Sequence, residues 1–146
     1  MTALPSTPSA TRTTAVWLGA AGALPFIAAV LAGLLLADSL IAQWTGQAAF
    51  LYGAVILSFL GGIHWGLALT TARADSRAYI IGVIPSLVGW GAVLLPMRIG
   101  LVVLALGFIG QFLMDLRLSL PGWFRTLRLA LTIVVSASLF LLAMLE

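Results

Sequence analysis

His64, Gln111 and Asp115 are the residues on which chemistry inside this chain would have to rest. His64 is the single histidine among 146 residues and stands in the apolar run FLYGAVILSFLGGIHWGLAL. An ionisable side chain in such a run is a functional hypothesis by default, because hydrocarbon does not solvate it. Its neutral imidazole has one donor and one acceptor and can tie two helices together. The alternatives are a proton relay or a ligand contact. Gln111 and Asp115 stand four residues apart and share one face of a helix. Asp115 could pair with Arg117 or with an arginine of the segment that follows. It could also join His64 and Gln111 in one intramembrane polar cluster. Under either reading these groups need partners, since lipid offers none.

The remaining residue types exclude most other chemistry. The chain has no cysteine, so it has no disulfide, thiolate metal site or cysteine nucleophile. One histidine excludes a two-histidine zinc site and a bis-histidine haem. The sequence contains no phosphate-binding loop, no paired catalytic carboxylates and no nucleophile–base constellation. The expectation is a protein that is not an enzyme, with no catalytic residues, no cofactor and no metal.

The elements that must hold these three residues follow from composition. Apolar residues make up 62% of the chain and charged ones 8%, against about 25% charged in a soluble domain. Mean hydropathy is +1.19. Five runs reach the roughly 17–25 residues needed to cross a bilayer: 15–37, 48–70, 79–97, 99–118 and 129–145. All eleven formal charges fall outside the strictly apolar stretches. Such long runs lack the period-2 alternation of a membrane barrel. The expected fold class is therefore all-α, one membrane domain of five transmembrane helices over 15–146. Residues 1–14, rich in Ser, Thr and Pro, are expected to form a disordered polar tail. A cleaved signal peptide is not expected, because the next apolar run is about twice the usual length of a signal's apolar core.

Orientation follows from arginine. With the N-terminus inside, Arg12, Arg73, Arg77, Arg117, Arg125 and Arg128 lie on the inner side and Arg98 alone on the outer. The positive-inside rule thus predicts an inner N-terminus and an outer C-terminus. Trp17, Tyr79 and Trp123 then fall near inner ends, and Trp44 and Tyr52 near outer ends, as interfacial anchors. The segment 121–128 is read as an inner loop in which Trp123, Arg125 and Arg128 anchor to headgroups. The sequence pI near 10.7 does not indicate nucleic acid, because the arginines are scattered rather than clustered on a solvated face.

Packing signals are concentrated in the second run. Ala54, Ser58, Gly62 and Gly66 recur at steps of four, a small-residue stripe that lets helix backbones approach in lipid. A second face carries Gly53, Leu57, Gly61, His64 and Ala68. Pro25 and Pro85 stand mid-run in the first and third spans, and each is expected to kink its helix.

Four segments together resemble a known family. YGAVILSFLGGIHWG at 52–66 is similar to the signature of the domain-of-unknown-function 3429 family. GALPF at 22–26, PSLVGW at 85–90 and PGWFRTLRLALT at 121–132 fit the same pattern in order. The resemblance implies a small multi-span membrane protein of bacteria with mitochondrial relatives, and no assigned reaction, cofactor or partner. The expectation for function is an accessory, assembly or scaffold component of a complex in the bacterial inner membrane. Its partners would be the lipid bilayer and other membrane subunits or a second copy. The alternative is a homo-oligomeric proton or small-solute transport protein using His64 and Asp115.

Overall fold

The computed structural model describes residues 9–71 and 75–146. Their order is α1 (Ser9–Ala21), α2 (Leu24–Leu35), α3 (Leu40–Thr70), α4 (Ser76–Val93), α5 (Met97–Asp115) and α6 (Gly122–Leu145). Among the described residues, five helical stretches are long and apolar enough to cross a membrane, the first being α1 and α2 taken together, Ser9–Leu35. The protein is a multi-pass membrane bundle, as its composition requires.

The boundaries differ from those expected, for local reasons. Helix α1 begins at Ser9, so residues 9–14 are helical and not part of a polar tail. Thr13 and Thr14 hydroxyls bond back to the carbonyls of Ser9 and Ala10, and the Arg12 guanidinium lies 5.7 Å from the Trp123 ring centroid. The rest of the expected tail, 1–8, lies outside the described residues, as does Arg73. Helix α3 starts eight residues earlier than read from hydropathy, because Ser39 caps it by accepting from the Ala42 amide at 3.1 Å. Its 31 residues span about 46 Å at 1.5 Å per residue, well beyond a hydrocarbon core of about 30 Å. The segment 121–128 is not a loop. Helix α6 starts at Gly122, and Arg125 and Arg128 stand on its first two turns.

Both prolines shape the bundle, in different ways. Pro25 falls in the first turn of α2, where it has no amide to satisfy. The preceding helix ends at Ala21, the residue whose carbonyl a proline four positions on would strike. The first span is thus two helices joined at Gly22 and Ala23. Pro85 remains inside α4 and is buried.

Helix α3 packs on α2, α4 and α5, while α5 packs also on α4 and α6, and α6 returns to α2. The core between them holds Phe26, Leu57, Leu101, Leu104, Phe108 and Leu139, all nearly free of exposure. Phe26 and Phe108 meet edge to face at 6.3 Å. Large side chains such as Leu31, Val55, Ile80 and Ile133 point outward, as a lipid-facing surface allows.

The α3–α4 crossing corrects the small-residue stripe. Ala54 and Ser58 do meet α4: a Cβ on Gly89 would lie 2.9 Å from the Ala54 carbonyl oxygen, and Ser58 and Ser86 hydroxyls bond at 2.7 Å. The contact then continues through Gly61, where a Cβ would meet the Gly82 carbonyl and Pro85. Gly62 and Gly66 are exposed, and a Cβ on either would meet nothing within 4 Å among the described residues. A step of four residues turns about 40° past a full helical turn. Two such steps from Ala54 carry Gly62 off the interface, whereas a step of four and one of three keep Gly61 on it.

Candidate functional site

Three helices bring one end of each together at Asp115. His64 stands six residues before the end of α3, Asp115 is the last residue of α5 and Arg128 lies in the second turn of α6. One Asp115 oxygen, Oδ1, accepts from His64 Nε2 at 3.0 Å and from Gln111 Nε2 at 3.0 Å. The other, Oδ2, accepts from Arg128 Nε at 2.9 Å and Nη2 at 2.6 Å. Gln111 Nε2 also reaches the Leu60 carbonyl at 3.5 Å. All four side chains are buried, with 3–6% exposure.

The structure therefore assembles His64, Gln111 and Asp115 as the sequence suggested, and adds a member. Both expectations for Asp115 hold together, an arginine partner and a polar cluster. The arginine is Arg128, which sequence reading had placed among the headgroup anchors. Its burial corrects that assignment: on α6 it shares a face with Thr132, Val135, Leu139 and Leu142, so the helix turns it inward onto the carboxylate. The pairing is charge-assisted and uses two guanidinium nitrogens, which fixes orientation as well as energy. With a carboxylate facing it, His64 Nε2 carries the proton.

The remaining anchors divide. Trp17 and Trp44 are exposed, and Trp123 is half-buried beside Phe124 at 5.7 Å. Arg125 donates to the Leu116 carbonyl at 2.8 Å, satisfying an orphan group at the end of α5. Tyr79 packs edge to face on Trp65 at 5.3 Å, and its carbonyl accepts from Trp65 Nε1. Tyr52 is not at a helix end. The early start of α3 places it twelve residues inside, against Phe26 at 5.4 Å.

His64 and Asp115 are in contact, yet among the described residues no third His, Cys, Asp or Glu joins them. What the arrangement provides is a carboxylate with four donors, closing three helices at one end. A second feature lies beside it. A cavity of about 430 Å³ opens between α1, α2, α3, α5 and α6, and Arg128 and Thr132 line it. Sequence reading did not single out Thr132.

Comparison with known proteins agrees with a membrane protein. A family model described as protein of unknown function (DUF3429) matches residues 11–144. The chain is 36% identical to transmembrane protein 69 of Xenopus tropicalis over 132 residues, covering 86% of this chain and 51% of that protein. It is 30% identical to transmembrane protein 69 of Mus musculus over 139 residues, covering 90% and 56%. The chain thus spans about half the length of these curated relatives. No solved structure matches it.

Proposed function

Since the chain belongs to the DUF3429 family, we propose that it serves as an accessory, assembly or scaffold component of a membrane complex, in a non-catalytic role. The observation that carries this reading is the saturated Asp115 carboxylate. His64, Gln111 and Arg128 supply four donors to two oxygens, an arrangement suited to locking helices together. A buried polar network satisfied in this way rigidifies a bundle. The outward face of α3 at Gly62 and Gly66 supports the same role, because small residues without a neighbour among the described residues leave room for another membrane helix.

The proposed location is the bacterial inner membrane, with the N-terminus on the cytoplasmic side. The arginine distribution supports this orientation, with Arg12, Arg77, Arg117 and Arg125 at one end of the spans and Arg98 at the other.

A second reading, homo-oligomeric proton or small-solute transport, draws on one observation: the 3.0 Å His64–Asp115 contact is linked through Arg128 to the lateral cavity. Native purification from the membrane separates the two. Foreign subunits in fixed stoichiometry are expected for the scaffold. A pure homo-oligomer would overturn it in favour of the carrier.

A further inference from the structure

We propose that the cavity between α1, α2, α3 and α6 binds an uncharged lipid with a flat, carbonyl-bearing head, a lipid quinone. Its volume of about 430 Å³ lies within the range of small-molecule sites, which are mostly apolar with a few placed polar groups. Phe26, Tyr52, Phe59 and Phe108 supply aromatic walls, and Phe26 meets Tyr52 at 5.4 Å and Phe108 at 6.3 Å.

The polar groups of this cavity point to a ligand. Thr132 is 5% exposed, and its hydroxyl is a buried polar atom without a hydrogen-bond partner among the described residues. Thr13, Thr14, Thr45 and Thr126 return their hydroxyls to the carbonyl four residues earlier; Thr132 does not. A buried hydroxyl left unpaired in hydrocarbon is costly, and a turn of the side chain about χ1 towards an oxygen acceptor in the cavity would satisfy it. One helical turn earlier, Arg128 gives Nε and Nη2 to Asp115. Its Nη1 makes no hydrogen bond among the described residues, and the residue lines the same cavity.

Charge decides the head group. Arg128 is already matched by Asp115 at 2.6 Å. A carboxylate or phosphate beside it would add a second buried anion to a neutralised cation, which burial penalises. A neutral carbonyl oxygen accepts from Thr132 and from the spare guanidinium nitrogen without that penalty. The lining of α3 from Tyr52 to Ile63 runs about 16 Å, long enough for a ring and the first isoprenoid units of a tail.

The test is equilibrium dialysis of the full chain in uncharged detergent against ubiquinone-2, with decanoate as the anionic probe. Wild type is expected to bind the quinone saturably, one per chain, and decanoate at least about tenfold more weakly. Thr132→Val should weaken quinone binding about tenfold, the loss of one hydrogen bond, while Thr132→Ser keeps wild-type affinity. Ile56→Trp, which fills the cavity from its α3 wall, should abolish binding. Absence of saturable quinone binding, equal affinity for decanoate, or wild-type affinity in folded Thr132→Val would each overturn the proposal. Where Thr132→Val does not fold, Ile56→Trp decides: retained affinity overturns the site and loss supports it.

Discussion

Replacing Asp115 by Asn separates a locked polar cluster from a loose set of contacts. The amide keeps the shape of the carboxylate but not its charge, and Arg128, only 5% exposed, is left without its anion. Breaking a buried ion pair from one side costs about 3–5 kcal/mol. Arg128→Met removes the cation instead and should cost less, about 2–3 kcal/mol, because Asp115 keeps the His64 and Gln111 donors, while paired removal is far milder than single removal. The double variant leaves no charge unpaired. It should therefore cost less than Asp115→Asn alone, so that the two single effects together exceed the double's by at least about 2 kcal/mol, a coupling expected of residues in one network. Reversible unfolding in mixed micelles, followed by helical circular dichroism as the denaturing detergent fraction rises, reads all four proteins. Additive effects within about 0.5 kcal/mol, with Asp115→Asn costing under about 1 kcal/mol, would refute the argument. Asp115 would then be a surface-like pair despite its burial.

Three further outcomes follow from the same geometry. Gly61→Ala should lower stability by about 1–3 kcal/mol through overpacking, since its Cβ would meet the Gly82 carbonyl, whereas Gly62→Ala should be within about 0.5 kcal/mol of wild type; equal melting temperatures would sink the α3–α4 assignment. His64→Gln keeps a donor for Asp115 and should accumulate and assemble like wild type at every pH tested, while His64→Ala should lose about 1–3 kcal/mol; a folded Gln variant that fails as fully as Ala would favour a proton relay. A reporter fused to Glu146 should be active only if it is of the exported type, and activity of a cytoplasmic reporter there would reverse the proposed orientation.

The helical class and the five spans were legible because hydropathy runs and charge placement speak directly to a bilayer. So was most of the polar cluster, because depth along antiparallel helices can be counted from the sequence. Boundaries were less legible. Ser39 sets the start of α3 through a single hydrogen bond that hydropathy does not register. The Gly62–Gly66 stripe misled because steps of four look like a helical face over short distances but precess over three turns. Arg128 misled because an arginine beside Trp123 and Phe124 matches the composition of an interface. The contrary signal was present in its register with Thr132, Val135 and Leu139, the apolar stripe of an inward-facing helix side.

That register also explains why an arginine can sit there at all. On the lipid side of α6 it would have to snorkel towards the headgroups. On the core side it meets the last residue of α5, whose carboxylate His64 and Gln111 have already oriented. The cluster needs every member: without the arginine, a buried carboxylate faces uncharged donors, and without the carboxylate, a buried guanidinium faces an apolar cavity. Because Arg128 belongs to both the clasp and the cavity wall, anything that takes its spare nitrogen also restrains the nitrogens bound to Asp115. Occupancy of the cavity should therefore stiffen the junction of α3, α5 and α6. By linkage, a ligand that binds only the folded bundle should raise its melting temperature as its concentration passes the dissociation constant. In Asp115→Asn, where the guanidinium no longer has a fixed partner, the same ligand should bind with altered affinity. A shift in wild type but an equal shift in Asp115→Asn would mean that cavity and clasp are neighbours without being coupled.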